Sequence, residues 1–174
     1  IGECALCITH GNPTVLNNVF TKSLRDHIWV VNASPRIVNN LFLPVKGSAI
    51  VVDPKRKGYP QILNNQFQNP TGMAIHFLSG GEKEGAVVAN NIFSAGDIKL
   101  PCDSKASILQ NHIKSNIAFE KSGNCIGGYQ LGLNYWEIFS QDQVVSARVT
   151  GTEPSFEVTL NGILRQPPKN IGRQ

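Results

Sequence analysis

The sequence predicts an all-β solenoid, a coil of parallel strands with about six rungs over residues 1–135, followed by a C-terminal cap or strap over residues 136–174. Three observations carry this prediction. A short phrase recurs along the chain, a second strand-like segment precedes every copy, and turn-forming residues gather between the two. The chain has 174 residues, of which 41% are hydrophobic and 16% charged, enough for one domain with a buried core.

The recurring phrase has the form I-x-N-N-x-F and appears as "PTVLNNVF", "PRIVNNLF", "PQILNNQF", "AVVANNIF" and "ASILQNHI". Its second asparagine falls at Asn18, Asn40, Asn65, Asn91 and Asn111, at intervals of 22, 25, 26 and 20 residues. Irregular intervals in the low twenties are typical of a solenoid whose turns vary in length. The Val, Ile and Phe of each copy alternate with other residues, which favours strands over helices.

A second predicted strand precedes each copy, at residues 5–8, 27–30, 49–52, 74–77 and 97–100, and a sixth at 116–119 follows the last copy. The segments between strands carry Gly, Pro, Asn and Asp, as in "THGNP", "NASP" and "DPKRKGYP". Insertions fall in these turns, where loops leave a regular stack.

Equivalent residues of adjacent rungs stack about 4.8 Å apart in such a coil, so inward side chains form columns. The pattern predicts four inward columns: Leu6, Ile28, Ile50, Ile75, Ile98 and Ile117; Ile8, Val30, Val52, Phe77, Leu100 and Phe119; Val15, Ile37, Ile62, Val88 and Ile108; Phe20, Phe42, Phe67, Phe93 and Ile113. The asparagine pair is expected at a sharp corner, since Asn tolerates the left-handed conformation and stacked amides hydrogen bond along the coil.

The chain resembles the right-handed parallel β-helix of the pectate-lyase-like superfamily. The I-x-N-N-x-F phrase is similar to the repeat of its carbohydrate-binding and sugar-hydrolysing members. The resemblance covers about residues 1–135 and implies a right-handed coil, as parallel connections generally are. It also implies a secreted or cell-surface protein that acts on an extracellular or cell-wall polysaccharide. No site motif of the family transfers to this chain.

The pattern stops after Phe139, where one or two further strands are expected, at 144–149 and 156–160, followed by an irregular tail. We interpret the segment from Asn134 onwards as a cap or side strap, because the open end of a solenoid has to be covered. No N-terminal cap is evident in the sequence, so another segment or another subunit is expected to cover that end.

One outward face is the candidate functional site. An aromatic ring there can stack on a sugar, a carboxylate or imidazole can act as acid or base, and a lysine can neutralise an acidic sugar. The predicted catalytic residues are His76, Asp53, Asp97 and Lys99, and the predicted substrate-binding residues are His27 and Trp29. Asp53 and Asp97 are expected two rungs, or about 10 Å, apart, at the upper limit for an inverting carboxylate pair.

The same residues have structural interpretations. Either histidine can be an ordinary surface residue, Trp29 can cover the core beneath the tail, and Asp53 precedes a proline and can belong to a turn. The face also contains several apolar residues, and the outward column of the second strands is apolar throughout: Leu16, Val38, Leu63, Ala89 and Leu109. Apolar outward columns indicate a covered surface, either by the tail or in a homo-oligomer, for which the resemblance favours a trimer.

Two functions are therefore expected as alternatives. The first is a module that binds or processes a polysaccharide, as a polysaccharide lyase, glycoside hydrolase or related enzyme if it is catalytic. The second is a non-catalytic structural or adhesive segment of a larger surface or tailspike-like protein.

Composition narrows the partners and cofactors. The net charge is +4, but the sequence lacks the basic stripe with interleaved aromatic residues that is typical of nucleic-acid binding. No apolar run is long enough to span a membrane. No cluster of three acidic residues lies on one predicted face, and Cys4 and Cys7 have no second pair at zinc-site spacing, so we expect no metal or other cofactor. Free or buried thiols are favoured, with Cys102–Cys125 an alternative disulfide.

Overall fold

The computed structural model describes residues 4–53, 58–78, 85–101, 104–114, 117–120, 127–137, 149–150, 156–160 and 164–174. Within these ranges the chain is all-β and forms a parallel solenoid of about five turns. The predicted fold class is confirmed, with slightly fewer turns than the six expected.

Each turn runs through three faces. The strands of the first face are β1 (Cys4–Ile8), β4 (Asp26–Val31), β7 (Ile50–Asp53), β14 (Ile117–Glu120) and β17 (Val149–Thr150). Those of the second face are β2 (Thr14–Leu16), β5 (Arg36–Val38), β8 (Gln61–Leu63), β10 (Val87–Ala89), β12 (Ser107–Leu109), β15 (Gly127–Leu131) and β18 (Phe156–Leu160). Those of the third face are β3 (Val19–Phe20), β6 (Leu41–Phe42), β13 (His112–Ile113) and β16 (Tyr135–Trp136). Two long strands, β9 (Gln66–Phe77) and β11 (Ile92–Pro101), continue from the third face into the first.

All strand pairs are parallel, and their registers are those that the repeated phrase predicts for the core. Strands β2, β5, β8, β10 and β12 form one sheet, in which Val15, Ile37, Ile62, Val88 and Ile108 lie opposite one another in succession. On the first face, Ile28 lies opposite Ile50, and Ile50 lies opposite Ile75. The stacking of equivalents therefore sets the register of the coil.

The phenylalanine column is the centre of the core. The rings of Phe20, Phe42, Phe67 and Phe93 stack nearly parallel, at centroid distances of 5.0, 4.9 and 4.8 Å. Ile113 continues the column as expected, and Trp136 lies opposite it one turn further on. Trp136 belongs to "LNYW", a degenerate copy of the phrase that the sequence analysis did not recognise.

The two asparagines of the phrase have different tasks at the first corner, between the second and third faces. The first residue of each pair adopts the left-handed conformation, with φ of 59° at Asn17, 58° at Asn39 and 55° at Asn64. The second residue forms the ladder, and Asn40, for example, donates its backbone N–H and its Nδ2 to Oδ1 of Asn65, at 2.9 and 3.0 Å. The expected corner and ladder are both present, but on separate residues.

The asparagine ladder extends one turn beyond the expected copies. Asn111 donates in the same way to Oδ1 of Asn134, at 3.0 Å from both its backbone nitrogen and its Nδ2. Each buried Nδ2 also donates to a backbone carbonyl, such as that of Ile37 for Asn65 at 2.8 Å. The ladder thus satisfies buried polar groups that the corner would otherwise leave unpaired.

A glycine lies at the second corner, between the third and first faces, in the turn that contains β11. Gly96 has a φ of +88°, and a Cβ there would lie 2.7 Å from the carbonyl oxygen of Asn69 and 2.9 Å from the nitrogen of Ala74. A side chain would therefore collide with the backbone of the preceding turn. Close approach of neighbouring turns explains why this corner uses glycine rather than asparagine.

The C-terminal segment forms a strap along the first corner. The backbone N–H of Leu164 donates to the carbonyl of Asn134, and that of Gly172 donates to the carbonyl of Asn90 at 2.8 Å. Gln174 exchanges hydrogen bonds with the side chain of Asn39. The segment 164–174 therefore passes back over the turns, as the expected strap does.

Parallel pairing also continues into the segment expected to form a cap. Strand β17 pairs with β14, and β18, which matches the strand expected at 156–160, pairs with β15. The remainder of the strand expected at 144–149 lies outside the described residues. The domain boundary between residues 135 and 136 stays a prediction.

The cysteine prediction was wrong for the first pair. Cys4 and Cys7 are joined by a disulfide, with their Cα atoms 5.9 Å apart. A fully extended strand holds residues three apart at about 10 Å, so the observed distance brings the two residues much closer than regular strand geometry does. Cys102 and Cys125 lie outside the described residues.

Candidate functional site

Three of the predicted site residues share one outward column of the first face. Trp29 lies opposite Val51, Val51 opposite His76, and His76 opposite Lys99, on strands β4, β7, β9 and β11. Neighbouring strands are about 4.8 Å apart, so the column is a short row that crosses the strands and runs along the axis of the coil. Trp29, His76 and Lys99 are each partly exposed. We call Trp29, Val51, His76 and Lys99 the first-face row.

The solvent-exposed atoms of the Trp29 indole are carbon atoms. Its Nε1 is buried and has no hydrogen-bond partner in the described part of the chain. The exposed part of the indole is therefore its apolar surface, the part that can stack on the face of a sugar ring. Val51 lies between Trp29 and His76 in the row and is only 3% exposed.

His27 does not lie on the outward face, so its predicted placement was wrong. Its side chain is fully buried, and its ring lies 5.9 Å from that of Phe20 and 6.1 Å from that of Phe42. The prediction assumed that strict in–out alternation begins at residue 27. Residue 27 is the second residue of β4, directly after the second corner, and the equivalent Ala49 and Ala74 are also fully buried. This position therefore faces the core in each of these turns.

His27 is held by two hydrogen bonds in the core. Nε2 is 2.9 Å from the carbonyl oxygen of Leu43, and Nδ1 is 2.6 Å from the hydroxyl of Ser23. A carbonyl can only accept, so Nε2 carries the proton and Nδ1 accepts from Ser23. Burial lowers the pKa of His27 below its ordinary value, although the Leu43 carbonyl and Asp26 oppose this.

His27 should make stability pH-dependent. Because its folded pKa lies below the ordinary 6.5, the unfolded chain takes up the proton first as the pH falls. The stabilisation is complete above pH 6.5 and is lost as the pH falls from there towards the folded pKa. Urea midpoints measured from about pH 7.5 to about pH 5 should fall, and His27→Gln should flatten that slope. The exposed His10→Gln is the control, and an equally flattened slope there would contradict the assignment.

The two predicted carboxylates do not form a pair. Val52 lies opposite Phe77, whereas Asp97 lies opposite Met73, where β11 is irregular. Asp53 is therefore offset from Asp97 by more than four residues along the strands, or at least about 13 Å, in addition to the strand spacing. The expected 10 Å was too short, and the separation exceeds the roughly 9.5 Å limit of an inverting pair. Asp53 is also largely buried, at 7% exposure.

Sequence reasoning missed a charged cluster on the third face. Glu137 Oε2 lies 2.7 Å from His112 Nε2 and 2.8 Å from Lys114 Nζ, and the ring of Tyr135 meets that of His112 edge-on. The hydrogen bond from Lys114 is the main cause of a lowered Glu137 pKa. His112 and Tyr135 occupy equivalent positions in adjacent copies of the phrase, as do Lys114 and Glu137. Recognising "LNYW" as a copy would have revealed this cluster.

Comparison with known proteins identified no relative of this chain. No protein-family model, no curated protein and no solved structure matches this chain. Membership of the pectate-lyase-like superfamily therefore stays a prediction. Among the described residues, no three His, Cys, Asp or Glu side chains are grouped to hold a metal ion, and no helix has the length and apolarity needed to cross a membrane.

Proposed function

We propose that this chain is a carbohydrate-binding module that holds an extracellular or cell-wall polysaccharide across the first face of its coil. One observation carries the proposal: the register that aligns Trp29, His76 and Lys99 in the first-face row. A polysaccharide laid across the strands meets an apolar ring surface, an imidazole and an ammonium group in turn. The right-handed, pectate-lyase-like architecture is part of the same proposal.

Charge favours an acidic polysaccharide. Lys99 lies at one end of the row, and the chain carries a net charge of +4. An ammonium group contributes to the binding of a uronate carboxylate, and the protein's overall field raises the local concentration of an anionic polymer. The expected ligand is therefore a uronate-containing polysaccharide, and a neutral glucan should bind more weakly.

Binding fits the geometry better than cleavage. Asp53 and Asp97 are too far apart to act as a hydrolytic pair, and His27 is buried away from the face. His76 is the remaining acid–base candidate on the face, and we assign it to hydrogen bonding with sugar hydroxyls. Secretion or cell-surface display follows from the proposed ligand.

We expect Trp29→Ala and Lys99→Gln each to weaken binding about tenfold, because each removes one of the few directed contacts of the row. Affinity electrophoresis through gels containing a uronate polysaccharide or a neutral glucan measures this. Lys105→Gln makes the same change of charge at an exposed site outside the row and should bind as the parent does. The Lys99 variant should also show less salt sensitivity. Equal retardation of Lys99→Gln and Lys105→Gln would contradict the proposal.

The same samples distinguish binding from processing. Incubation with the polysaccharide should leave its chain length unchanged, as measured by viscosity and by new reducing ends. Depolymerisation that disappears in His76→Ala, with folding intact by circular dichroism, would instead identify an enzyme and overturn the binding-only proposal.

One observation favours the alternative function, that of a non-catalytic structural segment. Leu16, Val19 and Leu24 are 50%, 48% and 80% exposed at the beginning of the coil. Exposed apolar side chains near one end favour a segment built into a larger assembly. A chain that binds no polysaccharide in the panel and sediments as a trimer would support this alternative.

A further inference from the structure

The first turn of the coil offers the open edges of all three faces. In the part of the chain that the structure describes, β1 pairs only with β4, β2 only with β5, and β3 only with β6. The backbone N–H and C=O groups on the outer edges of these strands therefore face no other described strand. We call β1, β2 and β3 together the N-terminal surface.

The asparagine ladder has a direction, and at this surface it ends on an acceptor. In each turn the asparagine donates to Oδ1 of the asparagine in the following turn, and Asn18 does so to Asn40 at 2.9 and 3.2 Å. Asn18 Oδ1 itself accepts no hydrogen bond from the described residues, and Asn18 is exposed. The surface thus presents an acceptor where every later turn receives two donors.

The aromatic stack is also unfinished here. Phe42, Phe67 and Phe93 are fully buried, whereas Phe20 is only partly buried and stacks on Phe42 alone at 5.0 Å. Leu6 is likewise only partly buried, although its equivalent Ile28 is fully buried. The apolar columns and the ladder therefore end at the same surface.

We propose that the N-terminal surface binds one further turn of parallel β-coil, from a polypeptide segment that has the repeat's own chemistry. Its corner asparagine donates its backbone N–H and Nδ2 to Asn18 Oδ1, and its third strand places an aromatic or aliphatic side chain on Phe20. This continues the interface that already joins every pair of turns in the chain, and uses the strand-addition mode by which sheet edges bind extended peptides.

The ladder argues against a second copy packed face to face. A two-fold axis at this surface would set Asn18 Oδ1 against its own equivalent, acceptor against acceptor. It would also pair the strands antiparallel, which breaks the columns that hold every other turn in register. The occupant is therefore a turn whose strands run parallel to β1, β2 and β3.

A labelled peptide with the sequence of residues 26–47, one complete turn, tests the proposal by fluorescence anisotropy with the full chain. We expect saturable binding. Replacing the peptide's equivalent of Asn40 with leucine should weaken binding about tenfold, since two hydrogen-bond donors to Asn18 are lost. Replacing the equivalent of the exposed Lys46 with glutamine is the matched control and should leave binding unchanged.

A substitution in the chain itself provides a second test of the same contact. Asn18→Leu removes the acceptor at an exposed position, so the chain should fold, and it should bind the asparagine and leucine peptides equally. Sedimentation velocity without peptide should give a monomer. Equal binding of both peptides to the parent chain, no binding of either, or a dimer that the peptide does not dissociate would overturn the proposal. None of these measurements depends on the polysaccharide site.

Discussion

Replacing Asn65 with leucine should lower the free energy of unfolding by about 2 to 6 kcal/mol. Asn65 is fully buried, its Oδ1 accepts from the backbone N–H of Asn40 at 2.9 Å, and its Nδ2 donates to the carbonyl of Ile37 at 2.8 Å. Leucine has a similar volume but leaves that N–H and that carbonyl without partners, at about 1 to 3 kcal/mol each. Urea unfolding followed by circular dichroism measures the loss.

The neighbouring residue is the control, because it shares the corner but not the ladder. Asn64 has a φ of 55°, so Asn64→Gly should change stability little, whereas Asn64→Val should cost about 1 to 2 kcal/mol for the left-handed conformation. If Asn65→Leu were no less stable than Asn64→Gly, the ladder would have no net stabilising role.

Truncating Phe67 to alanine should cost about 3 to 5 kcal/mol. Its ring is fully buried between Phe42 and Phe93, at 4.9 and 4.8 Å, so truncation removes two stacking contacts and leaves a cavity in the middle of the column. The same urea experiment measures this loss.

Phe20→Ala is the matched control for that cavity. Phe20 is only partly buried and stacks on a single ring, so its truncation should cost clearly less than that of Phe67. Equal losses of stability for the two variants would mean that a second stacking contact contributes no stability beyond that gained by burying the ring.

The core columns were predictable because a repeated strand has few ways to stack on itself. Once Ile28, Ile50 and Ile75 were aligned by the phrase, the side-chain period of two placed their neighbours as well. The observed registers match that alignment in the interior of the strands. The same reasoning placed Trp29, His76 and Lys99 in one row.

The errors lie at the corners, where the period of two does not apply. His27 faces the core beside the second corner, as the equivalent Ala49 and Ala74 do. Asp97 shifts by one position because β11 is irregular there. An alignment of the repeats by residue type does not show such local irregularities of the backbone. The third-face cluster of His112, Lys114 and Glu137 was missed because its second half lies in a degenerate copy of the phrase.

From sequence alone, the chain is determined to be a parallel coil with an asparagine ladder and a phenylalanine stack, because like residues at regular intervals bury best against one another. Only the tertiary structure decided which asparagine of each pair turns left-handed, that His27 is internal, and where the strap lies. The contact between Asn39 and Gln174, 135 residues apart, belongs to no repeat, so no local pattern could have indicated it. Such contacts depend on where the finished coil brings distant segments together.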